Sequence, residues 1–250
     1  MNLVFNEIEK IKVIGNIHIN NMKSYIDSLD ITDTMIIACG DYHIGFDTFN
    51  NDVEKILKIE YQLEKNNNYL MLIRGNRDNP KYFKKGSSFK EELIECANNI
   101  YAIDDYSIIK TKNHNILCIG GAKTLDTFHT ISIWPNEMVK RPDNNFYETL
   151  EANKVYPDII ISHTAPLFAY PLEFNKDGNP IVLNAFSQYN KTLKNDIYKE
   201  RLLLKGIYEK LCIKNHIKYY IYSHFEKSNK MKYNKTELIS LKNKESFDIN

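Results

Sequence analysis

The sequence predicts an α/β fold in which parallel strands alternate with helices packed over them. Three short apolar runs, at residues 11–14, 35–39 and 69–73, each end at a glycine or a polar turn and are typical of buried strands. Residues 22–29 and 52–65, which separate these runs, have apolar residues at helical spacing. The chain therefore opens in β-α-β-α-β order.

The rest of the chain continues the alternation less regularly. The further predicted elements are a helix at 89–98, consecutive strands at 100–110 and 115–121, a helix-containing segment at 135–153 that Pro142 breaks, a strand at 158–162, a long loop or lid at 166–190, a helix at 194–216, a strand at 218–222 and a hairpin at 230–234 and 237–241. The sequence has no internal repeat and no low-complexity linker. We therefore expect one domain over residues 1–250.

Composition excludes several classes of protein. Lys and Arg number 33 and Asp and Glu number 32, so the net charge of +1 argues against a generally basic nucleic-acid binder. The sequence has no run of eighteen apolar residues, which is the length needed to cross a membrane. The acidic residues Glu7 and Glu9 near the start do not fit a signal peptide, so we expect a cytoplasmic protein. The four cysteines have no C-x-x-C spacing and predict reduced structural thiols.

Polar, metal-ligating residues directly follow five predicted strands. The segments are Gly15-Asn16-Ile17-His18, Gly40-Asp41-Tyr42-His43, Gly75-Asn76-Arg77-Asp78, Ser162-His163-Thr164 and Ser223-His224-Phe225-Glu226. Ligand sites of α/β sheets lie beyond the carboxyl ends of strands. Each segment alone fits an ordinary turn, but five in series favour a site. Oxygen and imidazole ligands together suit Mn²⁺, Fe or Zn²⁺ better than Mg²⁺ alone.

In their order, these segments resemble the calcineurin-like metallophosphoesterases, and in particular a bacterial and phage branch of that family. The family's motifs are Asp-x-His, Gly-Asp, Gly-Asn-His-Asp/Glu, an isolated His and Gly-His-x-His. The flanking segments Gly120-Gly121-Ala122 and Ser162-His163-Thr164-Ala165-Pro166 are also similar, and the resemblance covers residues 11–239. It implies an αββα sandwich, with two mixed β-sheets flanked by helices.

The resemblance implies two metal ions that share one aspartate. The ligand set of the second metal is intact, as Asp41, Asn76, His163 and His224. The set of the first metal corresponds to Asn16, His18, Asp41 and Glu226. Asn16 replaces an aspartate and Glu226 replaces a histidine, so the total ligand charge is unchanged while oxygen replaces imidazole. We therefore expect one firm and one weaker ion, with Mn²⁺ preferred and Fe, Zn²⁺ or Mg²⁺ as alternatives.

Arg77 stands where the family has the histidine that helps the leaving oxygen depart. An arginine stays protonated and cannot act as a general acid, but it can bind phosphate oxygens through two N–H groups. We therefore expect Arg77 and Asp78 to be catalytic, Asn76 and Arg77 to bind substrate, and Asp78 to pair with Arg77. The alternative is that Arg77 and Asp78 form only a surface salt bridge. His43 and Trp134 are interpreted as an exposed loop residue and a packing residue.

The resemblance implies a metal-dependent phosphoesterase that hydrolyses a phosphate ester by a metal-bound hydroxide. The altered dinuclear centre predicts reduced or unusual activity toward a phosphorylated small molecule or another phosphoester. The alternative is a catalytically inactive family member that binds a phosphorylated ligand or a partner protein. A nuclease also stays open because the family includes nucleases, although the near-neutral charge counts against nucleic acid.

Overall fold

The computed structural model of the protein describes residues 2–124, 134, 137–169 and 192–249. The strands are β1 (Asn2–Phe5), β2 (Lys10–Ile14), β3 (Thr34–Ala38), β4 (Tyr69–Ile73), β5 (Ile100–Ile103), β6 (Ser107–Thr111), β7 (Asn115–Ile119), β8 (Ile159–Ser162), β9 (Tyr219–Tyr222), β10 (Asn229–Tyr233), β11 (Thr236–Ser240) and β12 (Ser246–Ile249). The helices are α1 (Ile19–Ser28), α2 (Phe49–Leu57), α3 (Glu60–Lys65), α4 (Ser88–Cys96), α5 (Phe146–Ala152) and α6 (Leu193–Cys212). None of these helices is both long and apolar enough to cross a lipid bilayer.

The strands form two mixed sheets, as predicted. The five-stranded sheet has the order β12-β2-β3-β4-β5, in which β2 to β5 are parallel and β12 is antiparallel to β2. The seven-stranded sheet has the order β1-β6-β7-β8-β9-β11-β10. Its central strands β7, β8, β9 and β11 are parallel, while β6 and β10 pair antiparallel with their neighbours β7 and β11.

Apolar side chains fill three layers. The layer between the sheets includes Val13, Met35 and Met71 from one sheet and Ile116 and Ile161 from the other. A second layer packs under α1 to α4 on the five-stranded sheet, and a third packs under α5 and α6 on the seven-stranded sheet. Strand β3 is buried on both faces, which explains its continuous apolar run. These layers confirm the αββα arrangement.

The structure divides two segments that the sequence pattern predicted as continuous. Residues 52–65 form parts of two helices, because α2 ends at Leu57 and the chain then turns so that Ile59 and Leu63 are both fully buried. Residues 100–110 form two strands that belong to different sheets. The turn between them includes Tyr106 at a φ of 66°, a left-handed conformation that ends strand pairing.

Other predicted elements keep their place but change their bounds. Helix α5 begins only at Phe146, after Pro142, and the predicted helix at 194–216 ends at Cys212. The edge strands β1 and β12 were not predicted. Of the predicted loop or lid at 166–190, residues 170–190 lie outside the described residues.

Candidate metal centre

The segments that follow β2, β3, β4, β8 and β9 meet at one end of the sandwich. Three side chains from these segments, Asp41, His163 and His224, each offer a ligand atom within 4.8 Å of the others. Within the described residues, no other group of three or more histidine, cysteine or carboxylate side chains is so close. The ring centroids of His163 and His224 are 5.0 Å apart, and His163 is completely buried.

The Asn76 side chain completes this cluster with its amide oxygen. Asn76 Nδ2 donates to Thr124 Oγ1 at 2.9 Å, and Thr124 Oγ1 donates to Glu137 Oε2 at 2.7 Å. The Glu137 carboxylate can only accept, so the Thr124 hydroxyl must donate its hydrogen to Glu137. The Thr124 oxygen then accepts from the NH₂ group of Asn76. The orientation of the amide is thereby fixed, and Asn76 Oδ1 faces His163 Nε2 at 2.9 Å.

The His163 ring is oriented by a backbone carbonyl. Its Nδ1 hydrogen-bonds the carbonyl oxygen of Cys39, which is an acceptor, so Nδ1 carries the proton. The other nitrogen, Nε2, lies 3.3 Å from Asp41 Oδ1 as well as close to the Asn76 oxygen. Such a hydrogen bond from the far nitrogen is what usually holds a metal-binding histidine in its reactive tautomer.

The electrostatics of the cluster favour a positive charge at its centre. Burial alone lowers the pKa of His163, but the neighbouring Asp41 carboxylate outweighs it and raises that pKa. Burial works against the charged form of Asp41, yet the His163 ring lowers the pKa of Asp41 well below its ordinary value. Asp41 therefore stays ionised in a buried position where either a proton on His163 or a cation can balance it.

His224 supplies a neutral ligand with a free lone pair. Burial, together with the nearby His163, lowers the pKa of His224 to about 3, so the ring is uncharged at neutral pH. Its Nδ1 is buried and has no hydrogen-bond partner. A buried nitrogen without a partner is costly unless something binds it. The ligand atoms of Asp41, His163 and His224 lie within 4.8 Å of one another, and this set of a carboxylate and two imidazoles fits a divalent transition-metal ion.

Two glycine turns bring the ligands this close. Gly40 has a φ of 96°, and a Cβ there would lie 2.6 Å from Gly75 N and 2.7 Å from His163 Nδ1. A Cβ on Gly75 would lie 2.2 Å from Asp41 N. Asp41 itself has a φ of 61°, an uncommon left-handed conformation for a residue with a side chain. Only glycine fits at these two contacts, which explains the Gly-Asp and Gly-Asn pairs of the sequence.

Asp78 lies beneath these turns instead of beside Arg77. One carboxylate oxygen of Asp78 accepts from Asp41 N at 2.9 Å and from Gly75 N at 2.7 Å, so it joins the two loops. Burial, aided by the Asp41 charge, raises the pKa of Asp78 to about 7. No ion pair in the described part of the chain links Asp78 to Arg77, contrary to the expected pairing. The turn N–H groups need an acceptor, and Asp78 provides it.

The other predicted ligands line an open cleft of about 280 Å³ beside the cluster. This cleft is bordered by Asn16, Ile17, His18, Asn21, Asp41, His43, Arg77, Glu226, Asn243 and Lys244. The Asn16 amide is occupied at both ends, since Nδ2 donates to Asp41 Oδ2 at 3.4 Å and Oδ1 accepts from His224 N at 3.4 Å. His18 Nδ1 accepts from Asn20 N at 3.2 Å and caps α1. Glu226 is exposed.

Arg77 reaches this cleft from the Asn76 turn. Its backbone N–H donates to Asp41 Oδ1 at 3.0 Å, which fixes the residue beside the shared carboxylate. Its side chain is half-buried and borders the cleft. The site residues that the structure brings together are therefore Asp41, Asn76, His163 and His224, while Asn16, His18, Arg77 and Glu226 surround them.

Three residues near the site were not predicted from the sequence to belong to it. His43, predicted to be an exposed loop residue, is half-buried and borders the cleft, and its ring centroid lies 4.6 Å from that of His18. Its place two residues after Asp41 was a usable signal. Thr124 and Glu137 orient Asn76 from distant parts of the chain, and no local sequence pattern marks either of them.

Comparisons with known proteins find solved structures that match this chain at low sequence identity. Among solved structures, a Staphylococcus aureus protein assigned as a 5′-nucleotidase, in complex with alpha-ketoglutarate, matches 96% of this chain at 10% identity and a TM-score of 0.48. The chain spans 50% of the length of that protein. Phosphopantetheinyl hydrolase from Mycobacterium tuberculosis matches 94% of this chain and 90% of its own, at 9% identity and a TM-score of 0.41.

The Plasmodium protein GAP50, described as the anchor in the inner membrane complex, matches 93% of this chain and 71% of its own, at 12% identity and a TM-score of 0.42. No curated protein matches the sequence. The family model described as calcineurin-like phosphoesterase matches residues 9–225, which is most of the chain. The protein therefore belongs to the calcineurin-like phosphoesterase family.

Proposed function

We propose that residues 1–250 form one metal-dependent phosphoesterase domain that hydrolyses a phosphate ester, with Mn²⁺ as the preferred ion. The observation that carries this proposal is the convergence of acceptor atoms from Asp41, Asn76, His163 and His224, beside a cleft that Arg77 borders. These converging atoms can share either a proton on His163 or a bound cation, and the adjacent guanidinium suits a phosphate.

The chain's residues divide the work of holding an ion and a phosphate. Asp41, Asn76, His163 and His224 would hold the firmer ion, and His18 and Glu226, with Asp41, would hold a weaker one. A bound divalent ion supplies positive charge that polarises a phosphoryl oxygen and lowers the pKa of water. Asn16, whose amide is already hydrogen-bonded at both ends, acts as a donor that steadies Asp41.

Arg77 binds phosphate oxygens at the cleft and stabilises the negative charge that develops as the ester bond breaks. It cannot give a proton to the leaving oxygen at neutral pH. Esters whose leaving group needs no proton are therefore expected to react faster than simple alkyl esters. This is the reason for proposing reduced or unusual activity.

Mn²⁺-dependent hydrolysis of p-nitrophenyl phosphate and of glycerol phosphate tests this proposal. We expect p-nitrophenyl phosphate to be hydrolysed, glycerol phosphate to be a much poorer substrate, and EDTA or Asp41→Asn to abolish the activity. Asp27→Asn, at an exposed carboxylate of α1, is the matched control and should keep it. Arg77→His is expected to raise activity toward glycerol phosphate.

Activity that survives both EDTA and Asp41→Asn would contradict the proposal. Mn²⁺ binding with no hydrolysis of any phosphoester would instead favour the inactive, ligand-binding member of the family.

A further inference from the structure

A row of aromatic rings extends outward from the cleft. We call His43, Phe46 and Trp134 the aromatic row. The ring centroids of His43 and Phe46 are 6.1 Å apart, and those of Phe46 and Trp134 are 5.2 Å apart. His43 borders the cleft together with Arg77, so the row begins where the phosphate is proposed to bind.

The central ring of the row is exposed to solvent. Phe46 is 40% exposed, which makes it one of the few large apolar side chains on the described surface. An exposed aromatic ring at the rim of a polar cleft is a feature of ligand-binding surfaces. Through His43, the row adjoins a cleft that is lined mostly by charged and polar side chains.

The loop that carries Phe46 is held firmly at both ends. Gly45 N donates to Asp52 Oδ2 at 2.6 Å, and Asn79 N donates to the carbonyl oxygen of Ile44 at 2.9 Å. On the other side, Thr48 caps α2 through its hydroxyl. Phe46 is therefore presented by an ordered turn, which reduces the entropy lost when a ligand packs on its ring.

We propose that the aromatic row binds a flat aromatic group of the substrate, so that the preferred phosphoester is a nucleotide or an aryl phosphate. This inference rests on the proposed function and adds the class of the non-phosphate part. Stacking on a ring face recognises every nucleobase, because each has a π-face, and needs few directed hydrogen bonds. Arg77 would take the phosphate while the row takes the ring.

The fluorescence of Trp134 reports directly on the row, because this is the single tryptophan of the protein. The full-length protein with Mn²⁺ is titrated with AMP, with phosphotyrosine and with ribose 5-phosphate. We expect AMP or phosphotyrosine to change the emission at concentrations about tenfold lower than ribose 5-phosphate does. The better of the two ring-bearing compounds identifies the aromatic group.

Phe46→Leu removes the ring while keeping an apolar side chain at an exposed position. The preference for AMP or phosphotyrosine over ribose 5-phosphate should fall about tenfold in this variant, in both fluorescence titration and kcat/KM. Tyr61→Leu, at a 73% exposed ring on α3 outside the row, should leave the preference as in the wild type.

Equal binding of all three compounds by the wild type, or an unchanged preference in Phe46→Leu, would overturn the inference while leaving the proposed hydrolysis untouched. If no compound is hydrolysed, the proposed function fails, and the titration still decides whether the row binds an aromatic ring.

Discussion

The proposed metal centre has two halves that share Asp41 but differ in how they are built. The buried half, Asn76, His163 and His224, is fixed by hydrogen bonds to Thr124 and to the Cys39 carbonyl. The open half consists of Asn16, His18 and Glu226 along the cleft. Ligand atoms of the buried half lie within reach of a single ion, while His18 and Glu226 belong to no such group in the described structure.

This difference gives a physical reason for the substitutions that the sequence predicts at Asn16 and Glu226. In the buried half, Asn76 and His163 each have a second contact that orients them, so replacing either would leave a buried polar group unpaired. In the open half, solvent can satisfy a changed side chain, and the Asn16 amide is used for hydrogen bonds to Asp41 and His224. The buried half is accordingly proposed as the firm metal site.

The largest expected effect comes from the residue that both halves share. Asp41→Asn removes the only carboxylate of the buried half and should lower Mn²⁺ affinity by at least about 100-fold, because its charge balances the ion. Isothermal titration of the metal-free protein measures this, with Asp27→Asn as the control. An affinity within a few-fold of the wild type would contradict the role of Asp41 as the ligand that both halves share.

A second prediction concerns the pH dependence of folding stability, to which the buried carboxyl of Glu200 contributes. Burial raises the pKa of Glu200 to about 6, while its carboxylate accepts from Lys123 N at 3.1 Å and Val139 N at 2.9 Å. A carboxyl with a raised pKa binds its proton more tightly when folded, so this group favours folding below its unfolded pKa. That contribution is lost as pH rises toward 6, and it amounts to about 2 kcal/mol.

Urea unfolding of the metal-free wild type and of Glu200→Gln, at several pH values between 4.5 and 6.5, isolates this contribution. The variant should be less stable, because one of its two accepted hydrogen bonds is lost, but its stability should depend less on pH. Parallel pH profiles for the two proteins would contradict the assigned pKa.

Loss of the contact that orients Asn76 is expected to have a smaller effect on Mn²⁺ affinity. Thr124→Val removes the acceptor for Asn76 Nδ2 without changing the side-chain shape, and should weaken Mn²⁺ binding about tenfold. Thr124→Ser keeps the hydroxyl and should retain wild-type affinity. Glu137→Gln should behave like Thr124→Val, because both carboxylate oxygens of Glu137 accept from Thr124, and Gln can accept through only one. Equal affinities in the valine and serine variants would exclude this role.

The smallest effect is expected from the open half. Glu226→Ala removes an exposed carboxylate and should weaken the looser ion while changing the affinity of the tighter ion by less than about threefold. Two-site analysis of the same titration separates the two ions. A large loss at the tighter ion would show that the halves are not independent.

The sequence predicted the parts of this centre that depend on local turns. The Gly-Asp and Gly-Asn pairs after β3 and β4 give the close contact of the two loops, and the order of strands brings His163 and His224 to them. The helix–strand alternation also predicted most elements. It predicted residues 100–110 as one strand, because the apolar pattern continues from β5 in one sheet into β6 in the other.

Other features depend on contacts between distant residues, which no local pattern reveals. Thr124 and Glu137 orient Asn76 across 48 and 61 residues of the chain respectively. Asp78 was expected beside Arg77 but turns inward, since two buried backbone N–H groups require its oxygen. Edge strand β12 is short and only its last residue, Ile249, is well buried, so its pattern is weak.

A calorimetric Mn²⁺ titration of the metal-free wild-type protein tests the division of the centre. We predict one ion bound firmly by the buried half and a second bound at least about tenfold more weakly by the open half. Glu226→Ala should then affect mainly the second. Two ions of equal affinity, or no firm binding at all, would contradict the division of the centre into a firm and a weak half.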